Sequence, residues 1–221
     1  MQQKKISEPE TQQVELCRRL REAIILGRLH GGQRITEKFI SDEMGVKRGP
    51  ARESLLILEG QGLVRKVPSL GYFIESHTEE EIQDVYEIRT ALETLAVRRA
   101  AVHATREDLI QLQLACNAMR AALDTGDAEK RVREDLDFHA ALVQASGSRI
   151  LKHAYDALPR PFYGPTQLGR RKAERVAQQH EAVYQAIRER NPEKAAEMLA
   201  VHISEHDKTT VNGNGKAAAP A

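Results

Sequence analysis

The chain has 221 residues, of which 41% are apolar, 29% charged and only 4% aromatic, with no tryptophan. That length allows two compact domains with a core each, and the composition suits a helical protein better than a β-sandwich. No run approaches the roughly 18–20 apolar residues of a membrane span and the polar start is no signal peptide, so a cytoplasmic location is expected. Cys17 and Cys116 have no second Cys or His at zinc-finger spacing and are expected as reduced, structural thiols. The formal charge is +1, yet residues 1–76 hold 13 Lys/Arg against 10 Asp/Glu and the remainder 20 against 22. That asymmetry has the sign of a nucleic-acid head on a neutral body, and its small size establishes nothing alone.

Between Thr11 and Arg28 the apolar residues Val14, Leu16, Leu20, Ile24 and Ile25 recur at helical spacing, and Gly27 with Gly31 and Gly32 ends the helix. After an extended stretch at 33–35, Thr36 caps a second helix that carries Phe39, Ile40 and Met44 as far as Gly45 and Val46. Gly49 and Pro50 open a third, with Leu55, Leu56 and Leu58 expected inward until Gly60 and Gly62. LVRKV and GYFI read as two short strands joined through Pro68, Ser69, Leu70 and Gly71, which makes a wing.

A hinge falls at Ser76, His77 and Thr78, where Thr78 and Glu81 form a capping box for a long helix. Thr105 with Asp108 starts another helix, Gly126 and Asp127 break it, the Ser146-Gly147-Ser148 run ends a third, and Asn191-Pro192 parts the last two. PRPFYGP interrupts a helix, because three prolines cannot sit inside one. The final VNGNGKAAAPA is low-complexity and reads as a disordered tail. The expected fold is mainly α. A winged helix-turn-helix of three helices plus a small β-wing occupies 1–76, an antiparallel bundle of about six helices 77–210, and the tail 211–221.

GVKRGPARESLLILEGQGLVRKVPSLGYFI has the parts needed to enter a major groove: a tight turn, a helix opening on basic residues, and an apolar back. Lys47 and Arg48 lie at that helix start and Arg52 one turn on. Arginine donates to guanine O6 and N7 together, so these three are the candidate base readers. Arg34 before the second helix and Lys66 in the wing are placed for phosphates, and Gly71 lets the wing approach the minor groove. An isolated pair of such arginines would more often be a solvated face.

In the second region the informative residues are polar ones on apolar stripes. Asp135 and His139 share a helix face with Leu142; His180 sits among Val176, Val183 and Ile187; His202 follows Ala195, Met198 and Leu199. A lone histidine on such a stripe is more often a hydrogen-bonded core residue. Four such groups on three helices point to a shared divalent metal, with zinc, nickel and manganese all compatible. His206 is a rival for the last position, while His153 and His103 read as surface or core residues. Arg89 lies on the buried stripe of the first bundle helix, where it either pairs with Glu93 or clamps a ligand carboxylate, and Tyr86 one turn earlier lines the same place or packs.

The head GGQRITEKFISDEMGVKRGPARESLLILEGQGLVRKVPSLGYFI resembles the GntR superfamily of bacterial regulators in order and spacing. It departs from the pattern at Lys47, where Ser is usual, and at Gly49, where Thr is usual, so a phosphate-binding hydroxyl is missing at each. DLDFH, HEAVYQAI and the late His202 resemble the FCD effector domain of the FadR-like branch over nearly all of 78–210. The resemblance implies metal binding by Asp135, His139, His180 and His202 and an organic-acid effector beside the metal. The chain is therefore expected to be a ligand-responsive transcriptional regulator, a repressor, that binds a palindromic operator as a homodimer and is not an enzyme. Two other readings are a metal-free sensor behind the same head and a hydrolase built on the His/Asp site.

Overall fold

In a computed structural model, the residues described are 8–159 and 170–213. PRPFYGP after its first proline, and the tail beyond Gly213, lie outside them. The described residues form α1 (Glu8–Ile25), β1 (Arg34–Ile35), α2 (Glu37–Met44), α3 (Arg48–Gly60), β2 (Val64–Val67) and β3 (Gly71–Ile74). There follow α4 (Glu79–His103), α5 (Arg106–Thr125), α6 (Ala128–Ala145), α7 (Arg149–Asp156), α8 (Arg170–Arg188) and α9 (Pro192–Gly213). The chain divides into two compact units, one ending at Thr78 and the other beginning at Glu79. The architecture is thus mainly helical, a winged helix-turn-helix followed by a helical bundle.

The first unit is organised by apolar stripes at helical spacing. Leu16, Leu20 and Ile24 of α1, Ile40 of α2 and Leu55 and Leu58 of α3 close over Ile35, Tyr72 and Ile74 of the sheet. Two residues expected on these stripes face outward: Val14 is 67% exposed and Leu56 51%. At 100° per residue, Leu56 points about 100° away from its buried neighbour Leu55, and Val14 about 120° from Leu20. Both were apolar residues near a stripe rather than on it.

Thr36 caps α2 as the sequence suggests, its hydroxyl accepting from Phe39 N at 3.0 Å. Gly45 ends the helix in the left-handed region at φ 67°, a conformation that costs glycine nothing, and its N–H donates to the Ser41 carbonyl. The strands lie in the order β1-β3-β2, all antiparallel, with Arg34 opposite Phe73 and Lys66 opposite Tyr72. The wing reverses direction through Leu70 N–H to Val67 O at 3.1 Å.

In the second unit α4 is central, packing on α9, α6, α8 and α7, while α5 packs on α6 and α8. No strand occurs among its described residues. Thr105 and Asp108 form the reciprocal capping box of α5. α9 runs to Gly213, three residues into the segment read as a tail. Cys17 and Cys116 are both free and buried; burial pushes the Cys116 thiol up to about 12, which keeps it protonated and unreactive. No helix among the described residues is long and apolar enough to cross a membrane.

A helix leaves its last carbonyls without intrahelical donors. Those of α4 are met from the α8–α9 turn, where the Arg190 guanidinium donates to the carbonyls of Ala104 at 2.9 Å, Ala101 at 3.3 Å and Val102 at 3.4 Å. Arg190 itself has a left-handed backbone, φ 56°. We expect Arg190→Ala to cost about 2 kcal/mol in urea unfolding, because charge-assisted hydrogen bonds are lost. Arg190→Gly should cost less than that, since glycine relaxes the backbone. Unchanged unfolding midpoints in both variants would refute the capping role.

Candidate functional site

Asp135 and His139 are four residues apart on α6 and therefore project from one face; His180 comes from the middle of α8 and His202 from α9. All four are buried among apolar neighbours, the three imidazoles completely. Their ligand atoms lie within 4.8 Å of one another. Nε2 of His202 is 3.1 Å from Nε2 of His139 and 3.1 Å from Nε2 of His180. Asp135 Oδ1 lies 3.3 Å from His180 Nε2 and 4.0 Å from His139 Nε2. The sequence-predicted quartet thus meets at one point. His153 and His103 are exposed and stand outside it; the side chain of His206 lies outside the described residues.

The far side of each ring decides where its proton sits. His139 Nδ1 faces Glu93 Oε2 at 2.5 Å, and a carboxylate only accepts, so Nδ1 carries the proton and Nε2 offers a lone pair. His202 Nδ1 faces Gln179 Oε1 at 3.1 Å, with the same result. With both rings neutral, two imidazole lone pairs then oppose each other at 3.1 Å in a buried site. His180 stacks on Phe138, centroids 4.0 Å apart, and its Nδ1 meets no hydrogen-bond partner among the described residues. Converging, proton-free nitrogens beside a carboxylate are a costly arrangement that a cation relieves.

Glu93 sits at the centre of the support. Burial pushes its carboxyl upward, but Arg89 and then His139 outweigh this and hold it below the ordinary carboxylate range. Arg89 Nε donates to Glu93 Oε1, so the ion pair weighed from the i, i+4 spacing is formed, with both side chains buried. The Tyr86 ring is itself buried, its centroid 6.0 Å from the Arg89 guanidinium carbon. The sequence reading placed Glu93 beside Arg89 only; its hold on His139 went unseen, although Ile82, Tyr86, Arg89, Glu93 and Ala96 continue one helical stripe. Gln179 carried no signal, because its position next to His180 does not tell which ring it will reach.

In the first unit Arg34, Lys47, Arg48, Arg52 and Lys66 are all exposed. Arg48 and Arg52 share one face of α3. Lys47 is the N-cap and makes no side-chain cap bond, so the first amides of α3 have no side-chain acceptor from it. A Cβ at Gly49 would meet nothing within 4 Å, so the missing Thr reflects no steric demand of the fold. A Cβ at Gly71 would lie 3.9 Å from Arg34 Nε and Nη2, which places the Arg34 guanidinium against the base of the wing. Gly71 itself has φ 97°. Lys66 lies over the Tyr72 ring, 5.7 Å from its centroid.

Residues 12–74 match the model of the bacterial regulatory proteins of the gntR family, and residues 84–205 match the FCD domain. The chain belongs to the gntR family and carries an FCD domain. It is 28% identical to the HTH-type transcriptional regulator YdhC of Bacillus subtilis over 92% of each chain. It is 29% identical to the gluconate operon transcriptional repressor of the same organism over 64% of this chain, and spans 56% of that repressor's length. The solved structure of Escherichia coli McbR/YncC superposes with a TM-score of 0.82, at 20% identity and over 91% of this chain and 97% of that one, which shows a shared fold. This gntR-family chain is accordingly a transcriptional regulator with a DNA-binding head and an effector-binding domain, and not an enzyme.

Burial holds His180 below its ordinary 6.5, Asp135 opposing this less strongly. A group lowered on folding takes up its proton first in the unfolded chain, so the unfolded state gains as pH falls below 6.5. Chelator-stripped protein should therefore lose unfolding free energy from pH 6.5 downward, and His180→Gln should lose that part of the profile. Glu93, also lowered, adds a second decline nearer its ordinary 4.5 that both proteins keep. Parallel profiles in the two proteins above pH 5.5 would refute the assignment to His180.

Proposed function

We propose that this gntR-family regulator is a repressor that binds a palindromic operator as a dimer and responds to a small carboxylate beside a divalent metal in its FCD domain. The observation that carries the metal is the approach of His139 Nε2 to His202 Nε2 at 3.1 Å next to His180 and Asp135, with the far nitrogen of each of the first two rings turned to an acceptor. Neighbouring ligands on a metal with bonds of about 2.1 Å stand about 3 Å apart, which agrees with the observed 3.1–3.3 Å between adjacent ligand atoms. His139, His180, His202 and Asp135 would hold the ion, whose charge offers an oxygen of a carboxylate effector a site to coordinate. Zinc, nickel and manganese all accept this donor set.

The protein's own part is orientation. Glu93 fixes His139 through Nδ1 and Arg89 keeps Glu93 ionised, so any effector carboxylate that reaches Arg89 competes with Glu93 for it. Effector binding would then be read as a change in how one ligand of the metal is held. DNA affinity follows only if that change favours one arrangement of the two heads over another. The repressor reading is supported by the gluconate operon repressor among the relatives.

In the head, Lys47, Arg48 and Arg52 would read bases from α3, with Arg34 and Lys66 on phosphates and Gly71 admitting the wing to the minor groove. The two-fold symmetry of a dimer places one α3 in each of two neighbouring major grooves.

Elemental mass spectrometry of extensively dialysed protein should give about one divalent ion per chain, and none in His139→Ala/His180→Ala. Equal, negligible metal in both would leave a metal-free sensor. On a fragment selected from random duplexes, Arg48→Ala and Arg52→Ala should each weaken binding by about ten- to a hundredfold while metal content stays unchanged. Wild-type affinity in both variants would refute the role of α3.

A further inference from the structure

His139 and His202 both reach the cluster through Nε2, yet their far sides are held differently. His139 is backed by the Glu93 carboxylate, which can only accept, and the Arg89–Glu93 pair behind it is buried. His202 is backed by the Gln179 amide, which carries an acceptor at one end and donors at the other. An amide turned half round would present its NH2 to Nδ1. That nitrogen would then have to accept, and the ring proton would move to Nε2. There it would donate to the Nε2 lone pair of His139, 3.1 Å away. The cluster would satisfy itself, and His202 would have no lone pair left for a cation.

What turns the amide the other way stands one helical turn further on. Glu205 follows His202 by three residues on α9, and Arg175 precedes Gln179 by four on α8, so each pair shares a helix face. Gln179 Nε2 donates to Glu205 Oε2 at 2.8 Å, and Arg175 Nη2 donates to Glu205 Oε1 at 2.5 Å. An ionised carboxylate takes hydrogen bonds and gives none, so the NH2 of Gln179 belongs on the Glu205 side and Oε1 is left for His202. The order Arg175–Glu205–Gln179–His202 thus parallels Arg89–Glu93–His139, with one difference. Its outer end is open to solvent: the Glu205 side chain is 33% exposed and that of Arg175 64%.

We propose that Glu205 is a positioning residue for the cluster: through Gln179 it sets the tautomer of His202 and so keeps Nε2 of that ring open to a metal ion. This rests on the metal reading given above and adds to it the residue that makes His202 a ligand. The exposed Arg175–Glu205 pair is worth little to the fold by itself; the acceptor that it turns toward Gln179 is what matters. Of the two rings backed by an acceptor, His202 is the one whose hold begins at the surface.

Two substitutions separate this role from a merely structural one. Glu205→Lys replaces the acceptor by a donor, and Gln179→Glu replaces the amide by a group that accepts whichever way it turns. Long-range 1H–15N spectra of the metal-stripped, 15N-histidine-labelled full chain should show His202 protonated at Nδ1 in the wild type and at Nε2 in Glu205→Lys. In Gln179→Glu/Glu205→Lys the proton should be back on Nδ1. Zinc affinity, measured by competition with a chromophoric chelator, should fall by about ten- to a hundredfold in Glu205→Lys and return to nearly the wild-type value in the double variant. Circular dichroism should be the same for all three. An Nδ1 proton retained in Glu205→Lys would overturn the proposal, and so would a loss of zinc that the double variant does not reverse. A wild type that takes up no zinc would end the metal reading instead; the proton's place, measured without metal, still decides whether Glu205 sets the His202 tautomer.

Discussion

The place where His139, His180, His202 and Asp135 meet is buried, and much of the second unit is arranged around that fact. In water three imidazoles and a carboxylate would each find their own hydrogen bonds. In the core the backs of two rings are instead supplied from within, His139 by Glu93 and His202 by Gln179. Glu93 in turn needs the Arg89 charge to remain ionised at full burial. The polar chain Arg89–Glu93–His139 thus runs from α4 to α6 and ends on His202 of α9. Removing a link would strand a buried charge or an unpaired ring, a larger penalty than the link's own strength.

The same logic explains why α4 holds so many roles at once. Its core side carries the groups that orient one proposed ligand, and its end is capped by Arg190 from the turn between the two helices bearing His180 and His202.

Much of this was legible in the sequence because helical period and caps are local properties. Thr36, Gly45 and the Thr105–Asp108 box are read within four residues, and the quartet was visible because each member lies on an apolar stripe. The failures have the same origin. Val14 and Leu56 are apolar residues one or two steps off a stripe, and composition without angle puts them inside. Glu93 was legible as a buried neighbour of Arg89, whereas its contact with His139 joins residues 46 positions apart and depends on how two helices pack. Gln179 gave no warning, since nothing local tells which ring a glutamine next to a histidine will serve.

All four members of the cluster, and Glu93 behind them, stand on helices, none in a connecting loop. Evolution can therefore lengthen or shorten the turns joining α5 to α6 or α6 to α7 without moving a ligand. A single inserted residue between Asp135 and His139 is another matter. It would swing the second of them round the helix by about 100° and out of the cluster. Reading frames that drift by whole loops are tolerated by this architecture; drift by one residue inside α6, α8 or α9 is not.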